Sequence, residues 1–300
     1  MRLREDICYW AAKKIVARRK AGDVGDNPAT YDRFSYAQWR DQALLDQFTN
    51  HFSASDLKDK DLLDFGSGQG GLSIFAAQAG ARSVTGLDAN PAQIAFAEER
   101  LKRENHLPVI PRFIQPTNLK TIDLPDASMD VILCFDTLEH IMEYRAIIGE
   151  WYRVLRPKGQ VFIWWVPWWN PYGPHIESLV PLPWAHVLFP DQVLINTCAR
   201  VYDSADFKPR LWDLDEAGRK KPNKWRTMKV LPEVNRLTIA EFEKTFRRAG
   251  FQLEKRDVIG FGGSLAGRMT RVFTHLPHLR DFFCACTAYR LGKPESQPNR

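Results

Sequence analysis

From Asp61 onward the chain alternates short apolar runs with longer amphipathic stretches, and this alternation constrains the fold more than any other feature. Short apolar runs between turn residues predict buried strands, whereas the longer stretches repeat their apolar residues at helical spacing. This alternation predicts a doubly wound α/β fold, a parallel sheet with helices on both faces. The predicted strands are DLLDFG, SVTGLD, VIPRFIQ, MDVILCFD, QVFIWWV, FQLEKRDVIGF and DFFCACTAYRL, and the predicted helices are GGLSIFAAQAG, AQIAFAEERLKRE, RAIIGEWYRVLR (closed by Pro157-Lys158-Gly159) and IAEFEKTFRRAGF.

The segments outside this alternation divide the chain into further units. Residues 1–57 show helical spacing and predict an N-terminal helical cap. Residues 167–235 are rich in Pro, Trp and charge and show no clear period, which in a compact domain is typical of a lid or a binding segment. We therefore predict a doubly wound domain over 58–166 and 236–291, an inserted substrate lid between the two parts, and a disordered tail over 292–300.

Composition and charge exclude several classes of protein. Lys and Arg total 42 against 36 for Asp and Glu, a formal net charge of +6 that permits anionic partners without demanding them. The five cysteines lack zinc-type spacing, and no apolar run is long enough for a secretory signal or a membrane span. These features argue against disulfide-rich, secreted and transmembrane classes and predict a cytoplasmic protein with reduced thiols.

The most informative motif is the glycine-rich stretch Asp64-Phe65-Gly66-Ser67-Gly68-Gln69-Gly70-Gly71, between a predicted strand and a predicted helix. Glycines allow a tight turn there and let a ligand lie against main-chain N–H groups. Asp88 ends the next strand, where a carboxylate can bind both hydroxyls of a ribose. Together these features predict a site for a nucleoside-containing cofactor.

Two cofactors fit this motif. Gly66, Gly68 and Gly71 satisfy the G-x-G-x-x-G pattern of dinucleotide-binding turns, so an NAD-dependent oxidoreductase is one alternative. Asp64 favours S-adenosylmethionine, because a carboxylate can face the cationic amino acid group that NAD lacks. The position of the turn well inside the chain, and the block MDVILCFDTLEHI followed by LRPKGQVFI, also favour S-adenosylmethionine.

DFGSGQG, GLDAN, MDVILCFDTLEHI and LRPKGQVFI resemble successive motifs of the class I S-adenosylmethionine-dependent methyltransferases. The closest resemblance is to the small-molecule branch that includes ubiquinone-biosynthesis-like enzymes. It covers residues 36–166 and, more loosely, 236–290. The resemblance implies a Rossmann-like seven-stranded sheet of order 3-2-1-4-5-7-6 with the last strand antiparallel, and it implies S-adenosyl-L-methionine as the cofactor.

The resemblance also implies roles for individual residues. The turn and Asp64 would bind the methionine moiety, and Asp88 would bind the ribose. Phe135 and Asp136 would flank the cofactor, and Thr117 or Asn118 would lie near the adenine. The last pair departs from the Asp-Ala usual at that place in the family, which leaves the adenine contact open. The implied cofactor-binding residues are Asp64, Gly66, Ser67, Gly68, Gly70, Asp88, Ala89, Thr117, Asn118, Phe135 and Asp136.

Methyl transfer needs a base only where the acceptor must lose a proton, as a hydroxyl does. The candidate catalytic residues are His175 and His186 in the predicted lid, with Asp136 and His140 after the fourth strand. A histidine hydrogen-bonded within the lid is the alternative reading for the first two. We expect no metal site, since the spacing of His175, Glu177 and His186 is not diagnostic.

The acceptor is predicted to be a small molecule. Seven of the ten tryptophans fall in residues 161–230, which suits an aromatic or lipophilic hydroxyl, although they can equally pack the lid onto the sheet. Methylation of N or C, or a different reaction of S-adenosylmethionine, is the alternative. Nucleic acid is disfavoured, because FDTLEH stands where base-methylating enzymes carry an Asn/Asp-Pro-Pro-aromatic motif. The basic N-terminal helix with Ile7 and Trp10 is compatible with a membrane surface, but we expect it to close the cleft.

Overall fold

The computed structural model describes residues 2–16, 32–104, 106–215, 217–231, 234–261 and 270–295. The residues GDVGDNP at Gly22–Pro28, which predict a break between two helical stretches of the N-terminal cap, lie outside them, as does the end of the tail. The main elements are α1 (Arg2–Val16), α2 (Arg33–Thr49), β1 (Asp61–Phe65), α3 (Gly71–Gln78), β2 (Ser83–Leu87), α4 (Pro91–Leu101), β3 (Arg112–Ile114), β4 (Met129–Phe135), α5 (Tyr144–Val154), β5 (Leu155–Trp165), α6 (Ala185–Leu188), α7 (Asp191–Tyr202), α8 (Ile239–Ala249), β6 (Gln252–Gly260) and β7 (Cys284–Gly292).

Local chemistry accounts for several helix ends. Asn90 caps α4 by accepting a hydrogen bond from the Ala92 amide, and Pro91 occupies the first helical position, where its missing N–H costs nothing. Thr238 caps α8 through the Glu241 amide at 3.1 Å, as its sequence predicts. Gly250 ends the same helix in the left-handed region at φ +100°.

The seven strands form one sheet in the order β3-β2-β1-β4-β5-β7-β6. β1, β2, β3, β4 and β5 run parallel to one another, whereas β7 is antiparallel to both β5 and β6. The predicted fold class and strand order are therefore confirmed. The strand order reverses between β1 and β4, and in open α/β sheets ligands bind at the carboxyl ends of the strands beside such a reversal.

Helices cover both faces of the sheet. On one face Trp151 of α5 and Phe242 and Phe246 of α8 are fully buried against the strands. On the other face Phe48 of α2 and Leu72 of α3 pack over β1, β4 and β5. Near-continuous apolar runs in the central strands follow from this burial on both sides.

The predicted lid, residues 167–235, has a hydrophobic core to which α1 also contributes. Trp168, Leu194, Ile195 and Trp225 are buried there together with Cys8, so α1 packs against α7. This arrangement corrects the sequence interpretation, which found no period in residues 167–235. The α7 helix buries side chains on more than one side, between α1 and the rest of the lid, and therefore lacks a single apolar stripe.

Two boundaries also differ from the sequence prediction. The helix expected to run to Pro157-Lys158-Gly159 ends at Val154, and those three residues belong to β5. Residues Arg280–Phe283, expected as strand, form a short helix before β7. Within the described residues, no helix is long and apolar enough to cross a membrane.

Candidate active site

The turn after β1 is built from residues in left-handed backbone conformations. Gly66 has φ +78° and Gly68 has φ +49°, and the amides of Gly66 and Ser67 donate to the Leu87 carbonyl at 2.8 and 2.9 Å. A Cβ on Gly66 would lie 2.2 Å from the Thr137 side chain, so only glycine fits there. A Cβ on Gly68 would meet no protein atom within 4 Å, so this position faces open space.

Asp88 stands directly after β2 and faces the turn. Its Oδ2 accepts a hydrogen bond from the Gly68 amide at 2.8 Å, and its Oδ1 accepts one from the Asn90 amide at 2.8 Å. Each carboxylate oxygen has a further lone pair with which to accept a hydrogen bond from a hydroxyl. The geometry thus joins the predicted ribose-binding acid to the glycine turn.

A cavity of about 720 Å³ opens at this edge of the sheet. Its volume lies within the range of small-molecule and cofactor sites. The cavity collects most of the predicted cofactor residues from four different connections of the sheet. Those that line it are Gly66, Ser67, Gly68, Asp88, Ala89, Asn118, Phe135 and Asp136, together with the candidate catalytic residue His140.

Two buried polar atoms of the turn fit a ligand in this cavity. The Ser67 Oγ and the Gln69 Oε1 are buried and have no hydrogen-bond partner among the described residues. An unpaired buried polar atom is unfavourable, so a ligand that supplies hydrogen bonds would be stabilised here. With the Asp88 carboxylate opposite, these atoms fit the polar groups of a nucleoside linked to an amino acid.

Three predicted cofactor residues do not line the cavity. Asp64 is buried beneath the turn, where it accepts a hydrogen bond from Ser73 Oγ at 2.7 Å, and burial raises its pKa to about 6. Gly70 caps α3, with Phe113 beside it. Thr117 donates to Asp123 through its amide at 2.9 Å. These three residues support the walls of the site in this conformation.

Asp136, directly after β4, occupies the expected position in the cavity at φ +48°. Its Oδ2 pairs with the guanidinium of Arg40, which comes from α2. His140 also lines the cavity, and its ring lies 5.5 Å from the ring of His175 in an edge-on arrangement. Asp136, Arg40, His140 and His175 therefore form one polar cluster.

The two lid histidines have different surroundings. Desolvation by the surrounding protein lowers the pKa of His175, with His140 also acting in that direction. His186 does not line the cavity; its ring packs against Trp168 at 5.3 Å, and burial lowers its pKa to about 4. His175 does not line the cavity either, but its ring lies beside that of His140, which does, whereas His186 lies inside the lid.

The low pKa of His186 predicts acid sensitivity of the lid. As pH falls from about 6.5 towards 4, the unfolded chain takes up a proton that the folded chain does not, so stability decreases. We expect His186→Phe, which keeps a ring beside Trp168, to reduce the loss between pH 7 and 5 by about 1–2 kcal/mol. Urea unfolding of both proteins at the two pH values measures this. An identical pH dependence would contradict the prediction.

The tryptophans do not form the wall of this cavity. Trp165, Trp168 and Trp225 are buried in the sheet or the lid core, and the residues that line the cavity include no tryptophan. The rings of Trp39 and Trp212 lie 5.8 and 6.1 Å from that of Tyr36, a lining residue. The apolar lining comes instead from Leu44, Ile141, Met142, Leu119 and Phe135.

Sequence reasoning missed the contribution of α2. Its residues Tyr36, Arg40 and Asp41 line the cavity. Asp41 pairs with Arg100, a buried residue of α4 that also donates to the Gln69 carbonyl at 2.7 Å. This pair therefore connects α2 to the glycine turn, and no sequence pattern indicated it.

Glu139 lies beside the polar cluster and is only 2% exposed. Its Oε2 has no hydrogen-bond partner among the described residues. Burial, followed by the neighbouring charge of Asp136, raises the pKa of Glu139 to about 8. No group of three or more His, Cys, Asp or Glu side chains suited to a metal ion occurs in the described part of the chain.

The strand order, the antiparallel β7 and the glycine turn facing Asp88 define the Rossmann-like fold of the S-adenosylmethionine-dependent methyltransferases. Residues 63–163 match the family described as methyltransferase domain. The matched residues make up about a third of the chain. They carry a methyltransferase domain whose cofactor is S-adenosylmethionine.

Two curated relatives illustrate the match. The chain is 37% identical over 101 residues to a probable S-adenosylmethionine-dependent methyltransferase of Mycolicibacterium smegmatis, covering 33% of this chain and 35% of the relative. It is 38% identical over 106 residues to a ubiquinone biosynthesis O-methyltransferase of Pseudomonas entomophila, covering 35% and 44%. The matches thus span less than half of each relative.

Among solved structures, one similar to this chain is a putative S-adenosylmethionine-dependent methyltransferase from Listeria monocytogenes. The two share 18% sequence identity with a TM-score of 0.49, over 86% of this chain and 100% of the other.

Proposed function

We propose that this protein transfers the methyl group of S-adenosylmethionine, by SN2 displacement, to a hydroxyl of a small aromatic or lipophilic molecule. The observation that carries the proposal is a single cavity holding both the glycine turn with Asp88 and the polar cluster with Asp136 and His140. Positioning two reactants in one cavity accounts for much of the acceleration of such a displacement.

The chain's own residues would act mainly on the acceptor. When bound, S-adenosylmethionine supplies an electrophilic methyl group on a sulfonium sulfur. His140 would take up the proton of the acceptor hydroxyl, because imidazole is a common general base and this ring faces the cavity. His175, beside that ring, would orient it, while Asp136 and Arg40 would hydrogen-bond polar groups of the acceptor.

The apolar lining supports a lipophilic acceptor more directly than the lid tryptophans do. Leu44, Leu119, Ile141 and Met142 border the cavity with Tyr36, and Leu119 and Met142 are exposed. Apolar walls with a few convergent polar groups are typical of small-molecule sites. Transfer to oxygen is further supported by the resemblance to an O-methyltransferase of ubiquinone biosynthesis, a likeness limited to about a third of this chain.

We also propose that the protein is cytoplasmic and that its acceptor is not a nucleic acid. All five cysteines are free thiols, and four of them are buried. Free thiols suit a reducing compartment.

The test combines cofactor binding with methyl transfer to matched acceptors. Calorimetry with S-adenosylmethionine should show binding that Asp88→Asn weakens by about a hundredfold, since asparagine keeps only one acceptor oxygen and has no charge. Asp126→Asn, an exposed carboxylate remote from the cavity, is the control. Radiolabelled methyl transfer is then followed with a phenol, the matching aniline and the matching benzoic acid.

We expect the phenol to be methylated and the aniline to be inert. We also expect His140→Gln to lower kcat by about a hundredfold or more, with cofactor affinity unchanged. Labelling of the aniline alone, or full turnover by His140→Gln, would contradict the assignment of an oxygen acceptor with His140 as base. Unchanged cofactor affinity in Asp88→Asn would contradict the proposed cofactor site.

A further inference from the structure

The outer face of α1 exposes apolar side chains that no part of the described chain covers. Leu3 is 74% exposed, Ile7 is 54% exposed and Trp10 is 61% exposed. They stand at positions i, i+4 and i+7 and therefore share one side of the helix. The opposite side carries Cys8 and Ala12, which are fully buried in the lid core. The helix is thus apolar on two sides, of which only one is packed.

The charged residues of α1 differ in whether they are paired. Its acidic residues Glu5 and Asp6 are engaged by α7, where Arg200 lies 3.4 Å from the first and 2.8 Å from the second. The basic residues Arg2, Arg4 and Lys14 are exposed, and within the described residues none of them has an ion pair. Neutralisation of the acids leaves a net positive charge around the exposed apolar side chains.

A fourth basic residue strengthens this arrangement. The Lys13 Nζ lies 5.5 Å from the centre of the Trp10 ring and also pairs with Asp206 at 3.1 Å. An indole beside cationic side chains is the composition that favours the headgroup region of a bilayer. Exposed apolar groups in a cationic rim are also unusual on a surface that meets only water.

We propose that the outer face of α1, formed by Leu3, Ile7 and Trp10 with Arg2, Arg4 and Lys14, docks on the surface of an anionic lipid bilayer. Anionic headgroups would attract the basic side chains, and the three apolar side chains would enter the boundary with the acyl chains. Charge favours this occupant over a second copy of the chain, because two such faces would bring like charges together.

Docking through α1 would place the lid next to the bilayer. The α1 helix is fixed to α7 by Cys8 and Ala12 and by the Arg200 pairs, so the two helices would stay together at the surface. The helix does not line the cavity, whose N-terminal wall comes from α2. The prediction that the first helix closes the cleft is therefore replaced by a separate role, which does not depend on methyl transfer.

Co-flotation of the full chain with vesicles tests the proposal. Vesicles of phosphatidylcholine with one third phosphatidylglycerol should bind the protein, while vesicles of phosphatidylcholine alone bind it at least about tenfold less. We expect Ile7→Ser and the triple variant Arg2→Gln/Arg4→Gln/Lys14→Gln each to weaken binding by about tenfold or more. Ile110→Ser, which removes a similar side chain that is 68% exposed elsewhere, is the matched control.

All of the substituted side chains are exposed, so the variants should fold, and thermal unfolding checks this. Absence of flotation by the folded wild-type chain would overturn the proposal. So would equal loss of binding in Ile7→Ser and Ile110→Ser. Concentration-dependent dimerisation that Ile7→Ser abolishes, without vesicle binding, would overturn it in favour of contact between copies.

Discussion

Gly68→Ala is expected to weaken the binding of S-adenosylmethionine by roughly ten- to a hundredfold while leaving the chain folded. A Cβ on Gly68 would meet no protein atom within 4 Å, and Gly68 lines the cavity, so the added methyl group would occupy space that the cofactor needs. Overpacking of this kind costs about 1–3 kcal/mol or more, which weakens binding by roughly ten- to a hundredfold. The φ of +49° adds about 1 kcal/mol of backbone strain to the folded state.

Gly218→Ala is a control that separates the loss of space for the cofactor from the backbone strain. Gly218 also has a positive φ, +72°, and open space around its would-be Cβ, but it lies in the lid and does not line the cavity. We expect similar small losses of stability in both variants and weaker cofactor binding only in Gly68→Ala. Calorimetric titration and urea unfolding measure the two quantities. Equal cofactor affinity in the two variants would contradict the assignment of the turn.

Gly66 would be a poor choice for this experiment. Its Cβ would lie 2.2 Å from the Thr137 side chain, so substitution there disturbs the junction between β1 and β4 as well as the turn. Loss of binding in such a variant would report on the fold and not on the cofactor.

The central fold was predictable because its determinants are local. Strand and helix periods, the Gly66–Gly71 turn and the acid at the end of β2 lie within short segments, and the structure places them as the pattern predicts. The α7 helix was missed because its apolar side chains face both α1 and the lid core, so its sequence lacks an amphipathic stripe.

Contacts between segments far apart in the sequence limit how much of the candidate site can be predicted. Arg40 is 96 residues from its partner Asp136, and Arg100 is 59 residues from Asp41. Sequence spacing contains no information about such pairs, so α2 was expected to cap the cleft without any residue being named. The same limit explains why His175 and His186 were equal candidates, although only His175 lies beside His140.

The second large effect is expected from Glu139→Gln and concerns stability. Burial raises the pKa of Glu139 to about 8 from an ordinary value of 4.5, so between these values the folded chain holds a proton that the unfolded chain releases. Stability should therefore fall as pH rises from about 5 to 8, by at most about 5 kcal/mol. Glutamine keeps the shape and cannot ionise, so we expect the variant to be more stable than wild type at pH 9 and similar at pH 5.

Glu150→Gln is a control whose change in stability should have the opposite sign. Hydrogen bonds from Arg153 lower the pKa of Glu150, so its charged form stabilises the folded chain above the ordinary pKa of a glutamate. That variant should lose stability at both pH 5 and pH 9, whereas Glu139→Gln gains it only at pH 9. Urea midpoints at pH 5 and 9 distinguish the two patterns. An unaltered pH dependence in Glu139→Gln would mean that Glu139 is ionised in the folded chain. The polar cluster at Asp136 would then carry a second negative charge opposite the single guanidinium of Arg40.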